Sequence, residues 1–509
     1  MSHSARSDAS EPPDRTEVFD AAVIGAGVVG AAIARTLGRF AGSFAVIESA
    51  HDVGTAASAR NSGVIHAGIN CLPGTLRARF CMEGRALLQR WCDELNVPYS
   101  ICGKLVVARS PNEIAGLERL RDHGEANGVP ALRIISGAEV EKLQPGIECV
   151  AALHVPTSGI VSPYALTIAM AEDAAVNGVR FFLGYEATTI DPVEDGFEIG
   201  TTRGPIRARY LINSAGIHAG RVARMVDPGA PDVHPCAGEY LVLDRQVGER
   251  ISMSVYPAPA VDNASLGVHI TPTTEGNVLL GPSSEYVSDP ETVRCTRATT
   301  DRLLEEARVM WPELPAHLVI GAYAGVRSKL TAPDVGGFSD FVFRQTPEHP
   351  GAIHLLGIES PGLTAAPAIA RHVVEAMLMP EARLARRPAA ERQTRPWPTR
   401  FDDLSETEKV RLVSEDPDYG DIVCRCEGVT KRELLRAIDN PLGVRTLSGI
   451  KFRSRASMGR CSGGYCLPRI VEILQEERGW APDDFTLRGP ESPAFAGRLL
   501  EDDHVGSRS

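Results

Sequence analysis

The sequence lacks a basic excess: its 509 residues carry 53 Lys and Arg against 65 Asp and Glu, a formal net charge of −12. Without a cationic face to displace counterions there is no electrostatic footprint for sequence-blind binding to nucleic acid, and no such partner is expected. Uninterrupted apolar runs of about 20 residues are missing as well. The longest candidate, 21–34, contains three glycines and is followed by Arg35, so no transmembrane segment is read. Residues 1–17 are polar and carry no apolar signal core, which predicts a disordered tail and a cytoplasmic protein. No internal repeat is evident. Eleven cysteines are an odd number, and Cys71, Cys81, Cys92, Cys102, Cys149, Cys236 and Cys295 are scattered without a disulfide framework, so these seven read as thiols.

What is present suits a large globular protein. A composition 43% apolar and 23% charged is ordinary for one, and the length suggests about three folding units. Residues 19–24 form an apolar strand run, 25–30 a glycine loop, 31–39 a helical pattern, and 43–47 a second strand run ending at Glu48. From 61 to 358 short β-type runs alternate with helical ones at 77–95, 163–178 and 300–309, which predicts interleaved segments of two domains. A helix over 361–377 closes this unit. Residues 380–418 hold several prolines and many charges without periodicity, as in a linker. Beyond them, 421–480 holds 11 Lys and Arg against 7 Asp and Glu, a shift in charge that marks a separate module. The expected organisation is a tail at 1–17, an interleaved unit at 18–378, a linker at 379–420, a module at 421–480 and a tail at 481–509.

Gly25, Gly27 and Gly30 form GxGxxG, and Glu48 follows 18 residues after the last of them. The first glycine permits a tight turn, the second lets a pyrophosphate approach the backbone, and the third lets helix pack on strand. The helix N-terminus then offers unpaired N–H groups to phosphate. Glu48 can accept hydrogen bonds from ribose hydroxyls, and its charge repels a 2′-phosphate. Flanking strands and an acid at this spacing make the motif far more specific than the glycines alone. No second such loop occurs, which disfavours a nicotinamide reductase that also carries FAD and leaves NAD alone or FAD alone.

Three further segments point to FAD. Arg60-Asn61-Ser62-Gly63-Val64-Ile65-His66-Ala67-Gly68, Asn213-Ser214-Ala215-Gly216 and Gly357-Ile358-Glu359-Ser360-Pro361-Gly362-Leu363-Thr364 occur in the order and spacing of the D-amino-acid-oxidase-like FAD proteins. Over about residues 18–378 the sequence resembles FAD-dependent L-2-hydroxyglutarate dehydrogenases and the related glycerol-3-phosphate oxidases and dehydrogenases. Pro73-Gly74 and Met82-Glu83-Gly84 add to the match. The fold this implies is an α/β FAD-binding Rossmann-like domain interleaved with an α+β substrate domain having a mixed or antiparallel sheet.

The resemblance also implies roles. His66 corresponds to a histidine near the flavin, and a neutral imidazole suits removal of the hydroxyl proton as hydride leaves the neighbouring carbon. Arg327 matches a substrate-side arginine, where a guanidinium both orients and holds a carboxylate, and Ser360 matches a substrate-side serine. Asn61, Ser62, Gly63, Ala215 and Gly216 fall in flavin-binding segments. Gly362, Leu363 and Thr364 sit where the family brings backbone N–H groups and a helix start to the flavin pyrimidine edge. The segment Ser265-Leu266-Gly267-Val268-His269 resembles the hydroxyglutarate-type members, whereas glycerol-3-phosphate oxidases of the group carry a lysine near it; His269 is a further substrate-side candidate.

Cys424 and Cys426 form CxC, and Cys461 and Cys466 form CxxxxC. Zinc frames favour cysteines two to four residues apart, so this is a poor zinc site, and four thiolates suit an iron–sulfur cluster. With Cys424-Arg425-Cys426-Glu427 and 458–468 around them, they resemble the bacterioferritin-associated-ferredoxin-type [2Fe–2S] module, a small helical domain. Thr430 with Glu433 is a capping-box signature, and Pro468 and Gly479 bracket a second helix. Lys451, Arg453, Arg455 and Arg460 lie near the cysteines in sequence and would favour reduction of an anionic cluster. The expectation is therefore a dehydrogenase with FAD and a [2Fe–2S] cluster that oxidises a small anionic 2-hydroxy acid and passes electrons to an acceptor protein or quinone-linked partner, in the cytoplasm or peripheral at a membrane through that partner. Glycerol 3-phosphate, an amine or imino acid as substrate, and a non-catalytic electron-transfer subunit are the alternatives. Hetero- and homo-oligomers both stay open.

Overall fold

The computed structural model describes residues 14, 16–259, 267–291 and 293–495. The chain divides into two compact units, one of 1–49 and 53–398, the other of 50–52 and 399–509. The expected tail at 1–17, residues 265 and 266 of the segment ending at His269, and the end of the expected tail at 481–509 fall largely or wholly outside the described residues.

In the larger unit the strand Val18–Ile24 lies between Phe44–Glu48 and Ile206–Asn213, parallel to both. Val179–Leu183 and Ala352–Leu356 extend this parallel core on either side. Parallel strands covered on both faces need nearly continuous apolar sequence, and Ala21, Ala22, Val23, Ala45, Val46, Leu211 and Ile212 are all buried. The antiparallel hairpin Ala187–Val193 and Gly196–Thr201 continues the sheet past Ile206–Asn213. The helix Val28–Leu37 is buried along its whole length, which its alanines permit. It starts three residues before the expected position because Gly27 already adopts the extended N-cap conformation.

A second sheet of nine strands is largely antiparallel, with Ser254–Pro257 and Lys104–Ala108 paired in parallel. Its strands come from chain segments that alternate with those of the first sheet, as expected of interleaved FAD-binding and substrate domains. The long pair His234–Leu243 and Val319–Lys329 forms one end of it. The closing helix runs Gly362–Arg371 and continues as wider turns over His372–Leu378.

The smaller unit holds the hairpin Ile422–Cys424 and Val429–Thr430 and the helices Lys431–Ile438, Leu447–Ser454 and Leu467–Arg478. The capping box of Thr430 and Glu433 is formed, and Gly479 ends the last helix in the left-handed conformation. Its core gathers Val423, Leu434, Leu435, Ile450, Ile470, Ile473 and Leu474 with Trp480 and Phe485. Two segments read as connecting chain are structured here. Helix Glu406–Glu415 lies in the expected linker, and Phe485 of the expected tail is buried against Trp480. That helix buries no residue and so shows no apolar stripe. Its segment is held instead by polar bonds: Arg432 pairs with Asp416 and Asp418, and Phe401 N–H donates to Glu433.

Candidate flavin and substrate site

The glycine loop shows why each glycine is required. Gly25 has φ +96°, and a Cβ on Gly30 would lie 1.9 Å from the Gly25 carbonyl oxygen. A Cβ on Gly27 would meet only the Ser58 hydroxyl, at 3.1 Å, so the second glycine keeps a cradle open and not a packing contact. Ser214 Oγ donates to the carbonyls of Ile24 and Gly25 and clamps the turn from the next strand. Glu48 accepts from Ala26 N–H at 2.7 Å, which fixes its carboxylate at the loop where a ribose diol would meet it. An open backbone cradle at a helix start beside a fixed acid fits an ADP moiety.

The other segments come to the same end of the sheet. Asn61 Oδ1 accepts from Gly63 N–H and its amide donates to the carbonyls of Ala57 and Ser58, shaping the loop that carries Ser62. Ala215 N–H donates to Asn213 Oδ1, and Gly216 has φ +57°. Thr364 Oγ1 accepts from His66 N–H at 3.0 Å and donates to Val64 O at 3.3 Å, joining the His66 loop to the first turn of the closing helix. Gly362 N–H donates to the Glu359 carbonyl. Gly84 permits the close approach of helix Leu76–Leu95, since a Cβ there would lie 2.3 Å from Thr364 O.

Burial holds the His66 imidazole well below the usual histidine range, and the charges of Lys104 and Arg77 add to this. It is therefore neutral near pH 7 and able to accept a proton. Arg327 donates through Nη1 to Ala237 O and through Nη2 to Ser283 O at 3.0 Å, which orients the guanidinium while leaving further N–H groups for a ligand. Ser360 is tied through its carbonyl, which accepts from Arg77 Nη2. Next to it Glu359 forms a buried ion pair with Lys329, Nζ to Oε2 at 3.2 Å. Burial pushes the Glu359 carboxyl up, against the charges of Lys329, Arg77 and Arg327. His269 is buried and stacks on Tyr256 with ring centroids 3.4 Å apart.

Sequence reasoning missed several residues here. The hydroxyls of Tyr240 and Tyr256 reach the Ser62 side chain, Tyr323 donates to Asn61 O at 3.0 Å, and Tyr240 and Tyr323 stack. Arg77 and Lys104 were missed too. A charged residue heading the apolar run Leu105-Val106-Val107-Ala108 was the available signal for Lys104.

In the smaller unit the four cysteines come together in two pairs. Cys426 and Cys461 Sγ are 3.7 Å apart, and Cys424 and Cys466 lie within side-chain hydrogen-bond reach. No three metal-binding side chains among the described residues close on one point, as a single ion would demand. Two thiol pairs suit a dinuclear cluster in which each iron takes two sulfurs. The nearby cations are partly neutralised: Arg453 pairs with Asp52, and Arg455 with Glu427.

Comparison with known proteins agrees with both halves. The family described as FAD dependent oxidoreductase, DAO, matches residues 20–376, and the BFD-like [2Fe-2S] binding domain matches 422–476. A glycerol 3-phosphate dehydrogenase of Caloramator mitchellensis is 37% identical over 91% of this chain and 95% of its own length. The mitochondrial L-2-hydroxyglutarate dehydrogenase of Arabidopsis thaliana is 31% identical over 71% of this chain and 84% of its own. The dithionite-reduced L-alpha-glycerophosphate oxidase of Mycoplasma pneumoniae, solved with FAD bound, superposes with a TM-score of 0.69 at 28% identity, covering 75% of this chain and all of that one.

Proposed function

Because the chain belongs to the DAO family of FAD-dependent oxidoreductases and carries a BFD-like [2Fe–2S] domain, we propose that it oxidises the secondary alcohol of a small anionic substrate, first of all a 2-hydroxy acid of the L-2-hydroxyglutarate kind. FAD supplies the sink for the hydride, and the cluster supplies one-electron relay to an acceptor. The observation that carries the reading is the place of His66: its backbone N–H donates to Thr364 Oγ1 at the helix start where the flavin segment lies, and burial lowers the pKa of its imidazole, which favours the neutral, proton-accepting form. His66 accepts the hydroxyl proton. Arg327, its fork aligned by Ala237 O and Ser283 O, binds the carboxylate beside the reacting carbon, and Ser360 flanks it.

Gly25, Gly27, Gly30 and Glu48 hold the ADP part of the cofactor. Asn61, Ser62, Gly63, Ala215, Gly216, Gly362, Leu363 and Thr364 hold the flavin part. Cys424, Cys426, Cys461 and Cys466 hold the iron. A cluster held there would serve to pass electrons to a protein or quinone-linked acceptor, and no described helix is long and apolar enough to cross a membrane.

Glycerol 3-phosphate is the second reading. It is favoured by the Caloramator mitchellensis relative, whose match spans both units. Anaerobic mixing with L-2-hydroxyglutarate, L-lactate, glycerol 3-phosphate and proline, followed by flavin bleaching, separates these substrates. Bleaching by a hydroxy acid and by no phosphate ester is the expected result. Bleaching by proline alone would move the substrate class to amines.

A further inference from the structure

The substrate sheet carries a buried lysine that the mechanism above leaves unused. Lys104 is 1% exposed and begins the strand Lys104–Ala108. Its register partner on the parallel neighbour is Ser254, so Tyr256, two residues on, projects from the same face. His269 meets Tyr256 from the third strand, its ring lying flat on the phenol at 12°. Lys104 Nζ stands 4.0 Å from the centroid of that phenol. A ring stacked as closely as His269 leaves no room on its own side, so the ammonium takes the opposite face. Val106 and Ala108 share this face of the sheet and pack in one cluster with Ala67, which directly follows His66, and with Ile69. Lys104 thus points to the His66 side.

A counter-charge is what Lys104 lacks. No carboxylate among the described residues pairs with it, and the only groups that favour its charge are the thiols of Cys81 and Cys71. Tyr256 and His66 face it as well, with His269 on the other side of the phenol and Arg77 acting together with Lys104 on His66. Burial accordingly lowers its pKa to about 8. A cation on an aromatic face recovers only part of the lost hydration, and buried ammonium groups are retained where they meet an anion.

The geometry points to Lys104 as a second anion-recognition residue, whose ammonium takes the far carboxylate of a two-ended hydroxy acid while Arg327 takes the near one. This rests on the hydroxy-acid reading and narrows it to dicarboxylates, since glycerol 3-phosphate and monocarboxylic acids offer a single anionic end. A charge-assisted hydrogen bond of this kind corresponds to about 10- to 100-fold in affinity.

The test uses the full-length, FAD-loaded protein and two ligands without a hydroxyl group, so that binding is read by calorimetry and no turnover is needed. Wild type is expected to bind glutarate well above butyrate. Lys104→Met should weaken glutarate by about 10-fold or more and butyrate by less than about 2-fold, and Lys104→Arg should restore most of the loss. Lys104→Met replaces an unpaired buried cation with an apolar chain of similar length, so its Tm should not fall. Equal loss of both ligands, a fall in Tm with loss of both, or glutarate binding like wild type each overturns the proposal. The chemical reading stands or falls separately: glutarate selectivity that depends on Lys104, with no flavin bleaching by any hydroxy acid, would uphold the anion site and refute the hydroxy-acid substrate.

Discussion

The cofactor end and the substrate end of the larger unit are built on opposite plans. The glycine loop works by having no side chains: Gly25 and Gly30 admit nothing larger, and Ser214 locks the carbonyls of Ile24 and Gly25. The proposed substrate end would work through long side chains from separate strands, with Arg327, Lys104, Tyr256 and His269 arriving from four of them. A backbone site tolerates no substitution, whereas a side-chain site can lose one member and keep the rest. Selectivity can therefore change at the second while the first stays fixed.

The comparison breaks most visibly at Gly30. Gly30→Val places atoms on the Gly25 carbonyl and should give protein with no bound flavin, read from the absorption spectrum of the purified material. His66→Gln should retain flavin but slow its anaerobic reduction by about 10²- to 10⁴-fold, the span expected for loss of a general base. Retained flavin with full reduction rate would end the base assignment. Arg327→Lys keeps the charge and loses the aligned fork, so kcat/KM should fall by about 10- to 100-fold with most of the change in KM. The smallest effect is in pH. Because the His66 pKa lies below the ordinary histidine value, kcat/KM should hold steady as pH falls through about 6.5 and decline only below it. Dicarboxylate affinity should drop as pH rises through about 8, where Lys104 loses its charge, and that upper limb should vanish in Lys104→Arg.

The same contrast explains what could be read in the sequence. The glycine loop and Glu48 are a local pattern whose geometry follows from a strand, a turn and a helix start. His66, Arg327 and Ser360 stood out through resemblance in the segments that carry them, not through any spacing of their own. The row of Lys104, Tyr256 and His269 exists only once three strands distant in sequence are placed side by side, so no window of sequence shows it. Helix Glu406–Glu415 escaped for a different reason. It has no buried face, although Ser405 and Glu408 do form the capping box that their spacing announces. Net charge in the smaller module was a poor guide as well, because Arg453 and Arg455 are matched by Asp52 and Glu427.

Thr364 draws two distant parts of the chain into one mechanical piece. Its hydroxyl bridges the backbone of the His66 loop, 298 positions away, and the helix that opens at Gly362. Thermal drift that carries one carries the other. In the proposed reaction the spacing between His66 and the flavin segment would thereby depend on a single threonine, and loosening that bolt is expected to register first in how an isotope effect varies with temperature.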